Sequence, residues 1–306
     1  MSRRGRTDYL ECMNKAMNYI EENLAGEIDF QRLAQLSGSS NVNFQRLFSF
    51  ITNISLSEYI RRRKLTLAAY DLQNTNLKVI EIALKYGYDS HEAFTRAFVK
   101  MHGVPPSSAR INGVQVKAYP KMKFHISIEG DEEVNYRIEK KKSFKMIGVE
   151  KIISMSNGEN FKEVPSFWQE SFQNGTIDKL DKLGKNAPHP GGKGLFPVNA
   201  IMCYEELEKD TFPYLIGTFM SEKDIPEEYK VVEVSEHLWA IFTTEKYLQP
   251  NTTDLVQDVW KRIYSEWFPS TNYIHAEGPE LELYYDDDDG FEHCEIWIPI
   301  KESSSF

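Results

Sequence analysis

Cysteine is scarce in this chain: three among 306 residues, at Cys12, Cys203 and Cys294. Widely spaced and odd in number, they exclude a disulfide framework and read as small buried hydrophobes in a reducing compartment. Long apolar runs are also missing. Nothing approaches the roughly 20 apolar residues a bilayer-spanning helix needs. The opening Met1-Ser2-Arg3-Arg4-Gly5-Arg6 lacks the apolar stretch of a secretory leader, so no membrane association and a cytoplasmic location are expected. The seven histidines do not pair with cysteine at metal-ligand spacing. Gly191-Gly192-Lys193-Gly194 has no Ser or Thr after its lysine, which argues against a phosphate-cradling loop. No Gly-x-Ser-x-Gly occurs. Asp286 to Asp289 followed by Gly290 lacks the alternating ligands of a calcium loop and reads as a hairpin turn. No catalytic residue, metal or cofactor is expected from these features.

Acidic residues dominate overall, with a net charge of -10, but they are unevenly placed. Residues 1–113 hold 15 Lys and Arg against 11 Asp and Glu, a net of +4. The remainder holds 21 against 35, a net of -14. A basic N-terminal part on an acidic body fits a local phosphate-binding face. With 41% apolar and 13% aromatic residues, the chain can bury about two cores.

The first 110 residues carry apolar positions three and four apart and read as helices. An internal repeat organises them. Leu33-Ala34 through Gly38 matches Ile82-Ala83 through Gly87 at an offset of 49, and Phe44 to Phe48 matches Phe94 to Phe98 at an offset of 50. Each copy is a short helix, a glycine turn and a second helix in the same phase, the layout of a helix-turn-helix. Once the apolar stripes are buried, the first copy leaves Asn41, Val42, Gln45 and Arg46 outside, and the second leaves His91, Glu92, Thr95, Arg96 and Lys100. Arg and Gln can pair bidentately with guanine and adenine edges, and an apolar side chain can meet a thymine methyl. The Arg61–Arg63 run and Lys64, on the long connecting helix, would hold phosphates. Two such units on one rigid helix could enter successive major grooves. Taken singly, each of these residues reads equally well as part of a solvated face.

Residues 7–110 resemble the AraC/XylS-type DNA-binding domain. The likeness rests on Ile28 to Ala34, Phe44 to Phe48, Tyr59 to Leu65, Ile82-Ala83 with Tyr86-Gly87-Tyr88, Phe94 to Phe98 and Gly103 to Pro106. It implies double-stranded promoter DNA as partner, base reading by the exposed residues named above, and contact with RNA polymerase.

After a linker at 113–122 the period changes. Strands are expected near 135–140, 144–154, 198–204, 214–221, 231–234, 238–244, 281–285 and 294–300, with helices near 161–172 and 253–267. The fold class expected is therefore multidomain: an all-α N-terminal domain at 1–112, then an α+β domain at 123–306 with an antiparallel sheet and two main helices.

In Leu281-Glu282-Leu283-Tyr284-Tyr285, Glu282 and Tyr284 share one side of a strand, as do Glu295, Trp297 and Pro299 on the last strand. A carboxylate among aromatic rings suits an organic cation. A surface carboxylate on an edge strand fits the same pattern. Residues from about 120 to 300 resemble the GyrI-like effector-binding domain, through Tyr214 to Gly217, Leu238 to Phe242, Trp260 with Tyr264 to Pro269, Gly278 to Tyr284 and Ile296 to Ile300. The domain order resembles that of Rob-type regulators. This likeness implies a small-molecule effector pocket with its glutamate at Glu282 and walls at Tyr284 and Trp297, with Trp168 and Trp239 as further walls. Two other readings stay open: a hydrolase using Glu282 with Glu295, or a ligand-free protein-docking module.

Overall fold

The computed structural model describes residues 5–125, 133–205, 207, 210–220, 226–248, 252–287 and 289–302. They divide into two compact units. One comprises residues 11–37 and 56–125; the other comprises 38–55 and the described residues from 133 to 302, together with 5–10. These units cut across the linear division at 112 and 123, because the first expected recognition helix assembles with the C-terminal residues. No helix among the described residues is long and apolar enough to cross a membrane.

The helical unit holds most of α1 (Gly5–Glu22), together with α2 (Phe30–Ser37), α4 (Leu56–Asn74), α5 (Val79–Lys85), α6 (His91–His102) and α7 (Pro106–Ala109). Leu65, Ala68, Leu72, Ile82, Ala83, Phe94 and Phe98 pack into one core, as their spacing predicts. Gly87, at φ 77°, supplies the left-handed turn between α5 and α6 that a Cβ would oppose. The expected linker at 113–122 is tied to this unit. Lys117 N–H donates to His102 Nδ1 (3.1 Å), Tyr119 N–H to Thr66 Oγ1 (3.1 Å) and Met122 N–H to the Tyr59 hydroxyl (3.1 Å). These three backbone donors are taken by side chains of the helices, which holds the segment as a strap.

The second unit contains α3 (Asn41–Thr52) and a curled antiparallel sheet. Its strands are β1 (Tyr136–Lys141), β2 (Phe144–Ser154), β3 (Val198–Met202), β4 (Thr211–Phe219), β5 (Lys230–Val234), β6 (His237–Thr243), β7 (Tyr273–His275), β8 (Glu280–Asp286) and β9 (Glu292–Glu302). They run in the order β1-β6-β9-β8-β3-β4-β2-β5, with β7 also paired to β9. One face buries Met146, Leu215, Trp239, Leu281, Leu283 and Trp297. Phe144 of β2 lies 6.4 Å from Trp239 of β6, although four strands separate them in the order, so this face closes on itself. The other face meets α8 (Asn160–Gln173), α9 (Thr176–Gly184) and α10 (Thr252–Arg262), which continues through a π-helical turn (Ile263–Trp267) into the short α11 (Phe268–Ser270). The expected strands and both main helices are present. The sequence reading lacked α9 and β7. The Asp-Gly turn joins β8 to β9 through Asp287 N–H to Phe291 O (2.8 Å), with Gly290 at φ 85°.

Candidate functional site

Two surfaces carry site residues expected from the sequence. The first is α6. Ser90 caps it by accepting from Ala93 N–H (3.1 Å), and Phe94 and Phe98 point into the core. That phase leaves His91, Glu92, Arg96 and Lys100 exposed, with Thr95 half-buried. Neither Arg96 nor Lys100 makes an ion pair among the described residues, so both charges are available to an outside partner. On α4, Glu58 pairs with both Arg61 and Arg62. Arg63 is turned inward to Glu21 (2.7 Å), while Lys64 is half-buried and reaches the Gly87 turn.

The expectation that α3 presents Val42, Gln45 and Arg46 outward is overturned. All three are buried, and only Asn41 is half-exposed. Arg46 is 3% exposed and forms an ion pair with Glu280, which is 0% exposed. It also donates to the sulfurs of Cys203 (3.1 Å) and Met202 (3.2 Å) and stands 5.0 Å over the rings of Phe212 and Trp260. Asn43 meets His275 at 3.1 Å. Hydrophobic phase marks the apolar stripe of a helix, but it cannot distinguish a polar face meeting water from one meeting a buried counter-charge. Here Glu280, supported by the Tyr264 hydroxyl (2.8 Å) and His275 Nε2 (2.9 Å), supplies that charge.

The second surface is a cavity of about 560 Å³ beneath α8, α9 and α10. Trp168, Phe172, Phe196 and Tyr284 line it together with Val164, Ile177 and Val256. Three carboxylates, Asp181, Glu282 and Glu292, reach it, and its described lining contains no Lys or Arg. Glu282 is not an edge-strand surface residue: β8 lies between β3 and β9, and the side chain is only 8% exposed. Its Oε2 accepts from the hydroxyls of Tyr214 (3.1 Å) and Tyr284 (3.0 Å), and its Oε1 from Trp260 Nε1 (2.8 Å). All three donors are neutral. Burial, followed by the charge of Glu282, pushes both phenols well above their ordinary range, which keeps them as O–H donors. Trp168 Nε1 donates to Tyr214 (2.9 Å), so the wall tryptophan also orients the carboxylate's partner.

Trp239 and Trp297 do not line this cavity. Leu281 stands opposite Trp297 and Glu282 opposite Ile296, which puts Trp297 on the face away from Glu282. Trp239 shares that face, and both rings are fully buried, 5.8 Å apart. Glu295 lies there too, bound by Arg137 (2.7 Å), Tyr285 (2.9 Å) and Trp297 Nε1 (2.9 Å). Glu282 and Glu295 therefore cannot act on one substrate from one side. Sequence reasoning missed Tyr214, Trp260 and Phe172 as neighbours of the cavity. The alternation beginning at Tyr214 and the helical phase of Trp260 were visible signals, but neither fixes the register that brings them to Glu282.

The integron-associated effector binding protein family, Cass2, matches residues 137–300, and a helix-turn-helix domain family matches residues 33–111. The transcriptional activator AarP of Providencia stuartii is 41% identical over 100 residues, covering 33% of this chain and 74% of that protein. The multiple antibiotic resistance protein MarA of Escherichia coli K12 is 35% identical over 115 residues, covering 38% and 89%. Among solved structures, an integron cassette protein from Vibrio cholerae covers 54% of this chain and 95% of its own at 16% identity, with a TM-score of 0.35. The chain belongs to the integron-associated effector binding protein family through its C-terminal half and, with an AraC-type helix-turn-helix domain before it, is a DNA-binding transcription regulator.

Proposed function

We propose that the cavity binds an amphipathic organic cation, with Glu282 as its counter-charge, and that the regulator reads promoter DNA through α6 and, when it is free, α3. The observation that carries the ligand reading is the cavity's composition: aromatic walls, three carboxylates and no basic residue among the described lining. Glu282 is held by three neutral donors, so no ion pair among the described residues competes with a cationic guest, and the rings add cation–π attraction. The volume falls within the range of small-molecule sites, roughly 300–1,000 Å³, which favours a ligand over a purely protein-docking role. On α6, Arg96 supplies a guanine-reading fork and Lys100 a phosphate contact.

Crystal violet, a triarylmethane cation, and its uncharged leuco form test the ligand reading. Glu282→Gln removes the charge but keeps hydrogen-bonding capacity. The dye has no N–H, so the loss is Coulombic: at an effective dielectric of about 20 a unit charge roughly 6–8 Å away is worth about 2–3 kcal/mol, or roughly thirty- to a hundred-and-fifty-fold in affinity. Calorimetric titration should show that loss for the dye and little change for the leuco form. Equal affinity of wild type and Glu282→Gln for the dye would refute the assignment.

A further inference from the structure

The docked α3 and the cavity share one side chain. Val256 and Gln257 of α10 line the cavity, and Trp260 stands one helical turn further on. Its indole N–H donates to Glu282 Oε1 (2.8 Å). Its ring stacks on Phe50 of α3 (5.7 Å between centres, 6° between planes), and the Arg46 guanidinium lies 5.0 Å from its centre. One stiff side chain thus touches both the carboxylate proposed to hold the ligand and two residues of the helix expected to read DNA.

We infer that α3, held against the effector domain by Arg46, is a latch that keeps the first recognition helix off DNA, and that a cation at Glu282 loosens it through Trp260. The ligand half of this inference rests on the cavity reading above; the latch half does not. A cation at Glu282 competes for the oxygen that anchors the Trp260 N–H. It also cancels negative charge that supports the buried guanidinium of Arg46. Both effects weaken the docked state. The docked face of α3 is also imperfectly satisfied: Asn43 Oδ1 and Ser49 Oγ are buried without a partner among the described residues. Buried polar atoms left unpaired make the docked state less favourable than a fully satisfied face would be. Arg46 and Gln45, buried here, are the side chains suited to base edges. Docking and DNA reading therefore use the same surface of α3 and exclude each other. A ligand shifts such an equilibrium only through its preference for one state, and the coupling is reciprocal: DNA should tighten dye binding by the same factor that dye tightens DNA binding.

Hydrogen exchange of residues 41–52 in the full chain reads the latch directly. Crystal violet should speed α3 exchange at least tenfold in wild type. Trp260→Phe keeps an aromatic ring but removes the N–H; at dye concentrations shown by calorimetry to saturate it, this variant should lack the acceleration. Glu280→Gln, which strands Arg46, should open α3 without dye. It should also bind a duplex enriched from a randomised library by the full chain at least tenfold more tightly. Phe50→Leu trims the stack on Trp260 without stranding a charge, and it decides the question in the same direction if Glu280→Gln fails to fold. Bound dye with unchanged α3 exchange overturns the coupling. Folded Glu280→Gln or Phe50→Leu protein with wild-type exchange and DNA affinity overturns the latch. Failure of the dye to bind overturns the cavity reading and the coupling together, while the dye-free variants still decide the latch.

Discussion

The ion pair between Arg46 and Glu280 makes a sharp stability prediction. Both side chains are almost wholly removed from water. Breaking a buried pair by removing one partner typically costs about 3–5 kcal/mol, because the remaining charge is left uncompensated. Arg46→Met alone leaves the Glu280 carboxylate with only Tyr264 and His275 as partners. Glu280→Gln alone leaves a guanidinium among rings and sulfurs. The double variant removes both charges, and replacing a buried pair with neutral groups is often neutral or stabilising. It should therefore lie within about 1 kcal/mol of wild type, giving a coupling energy of several kcal/mol across the cycle. If α3 undocks in a single variant, the loss is capped at the docking free energy, and the coupling shrinks accordingly without vanishing. The assay is convenient because all five tryptophans, at 168, 239, 260, 267 and 297, belong to the unit that contains α3. Tryptophan emission during urea unfolding thus reports that unit alone. A coupling energy below about 0.5 kcal/mol, in the range of additive independent sites, would refute the pairing.

Arg96→Ala should weaken binding to a selected duplex by about 1–3 kcal/mol and relax preference at one base pair, as mobility shifts on single-base variants would show. His275 gives a pH prediction. Burial, and then the nearby Arg46 charge, hold its imidazole down to about 4, below the ordinary 6.5. The unfolded chain therefore binds more protons between these values, and stability that is present above pH 6.5 is lost as pH falls toward 4. By pH 5 the loss should be about 2 kcal/mol in the tryptophan-reported unfolding, and it should be absent in His275→Gln. A pH dependence identical in the two proteins would show that other groups set it.

Most elements were legible because each rests on a local rule. Leu65, Leu72, Phe94 and Phe98 recur at helical spacing, and they form the core that this spacing predicts. Ser90 and Gly87 begin and end helices for reasons contained in their own side chains or lack of one. Glu282 and Tyr284 share a side because adjacent strand positions alternate. The misplaced residues all depended on something non-local. Alternation shows that Glu295 and Trp297 share a face, but not which face of the neighbouring strand they join. A shift of one residue between β8 and β9 would carry Trp297 to the side of Glu282.

Arg46 shows the same limit at longer range. Its helix carries an apolar stripe, Phe44, Leu47 and Phe48, which fixes the direction of the core and leaves the arginine on the other side. Whether that side meets water, a base pair or a carboxylate depends on Glu280, 234 residues away. A surface able to satisfy guanine can also satisfy a buried glutamate, since both offer acceptors to a planar fork of donors. The ambiguity is therefore chemical as well as positional. A recognition helix is complementary to any partner with acceptors in the right place, and a domain of the same chain that presents such acceptors competes with DNA for it. On the latch inferred above, the α3 arginine buried against an internal carboxylate is the point at which DNA binding would be controlled from within the chain.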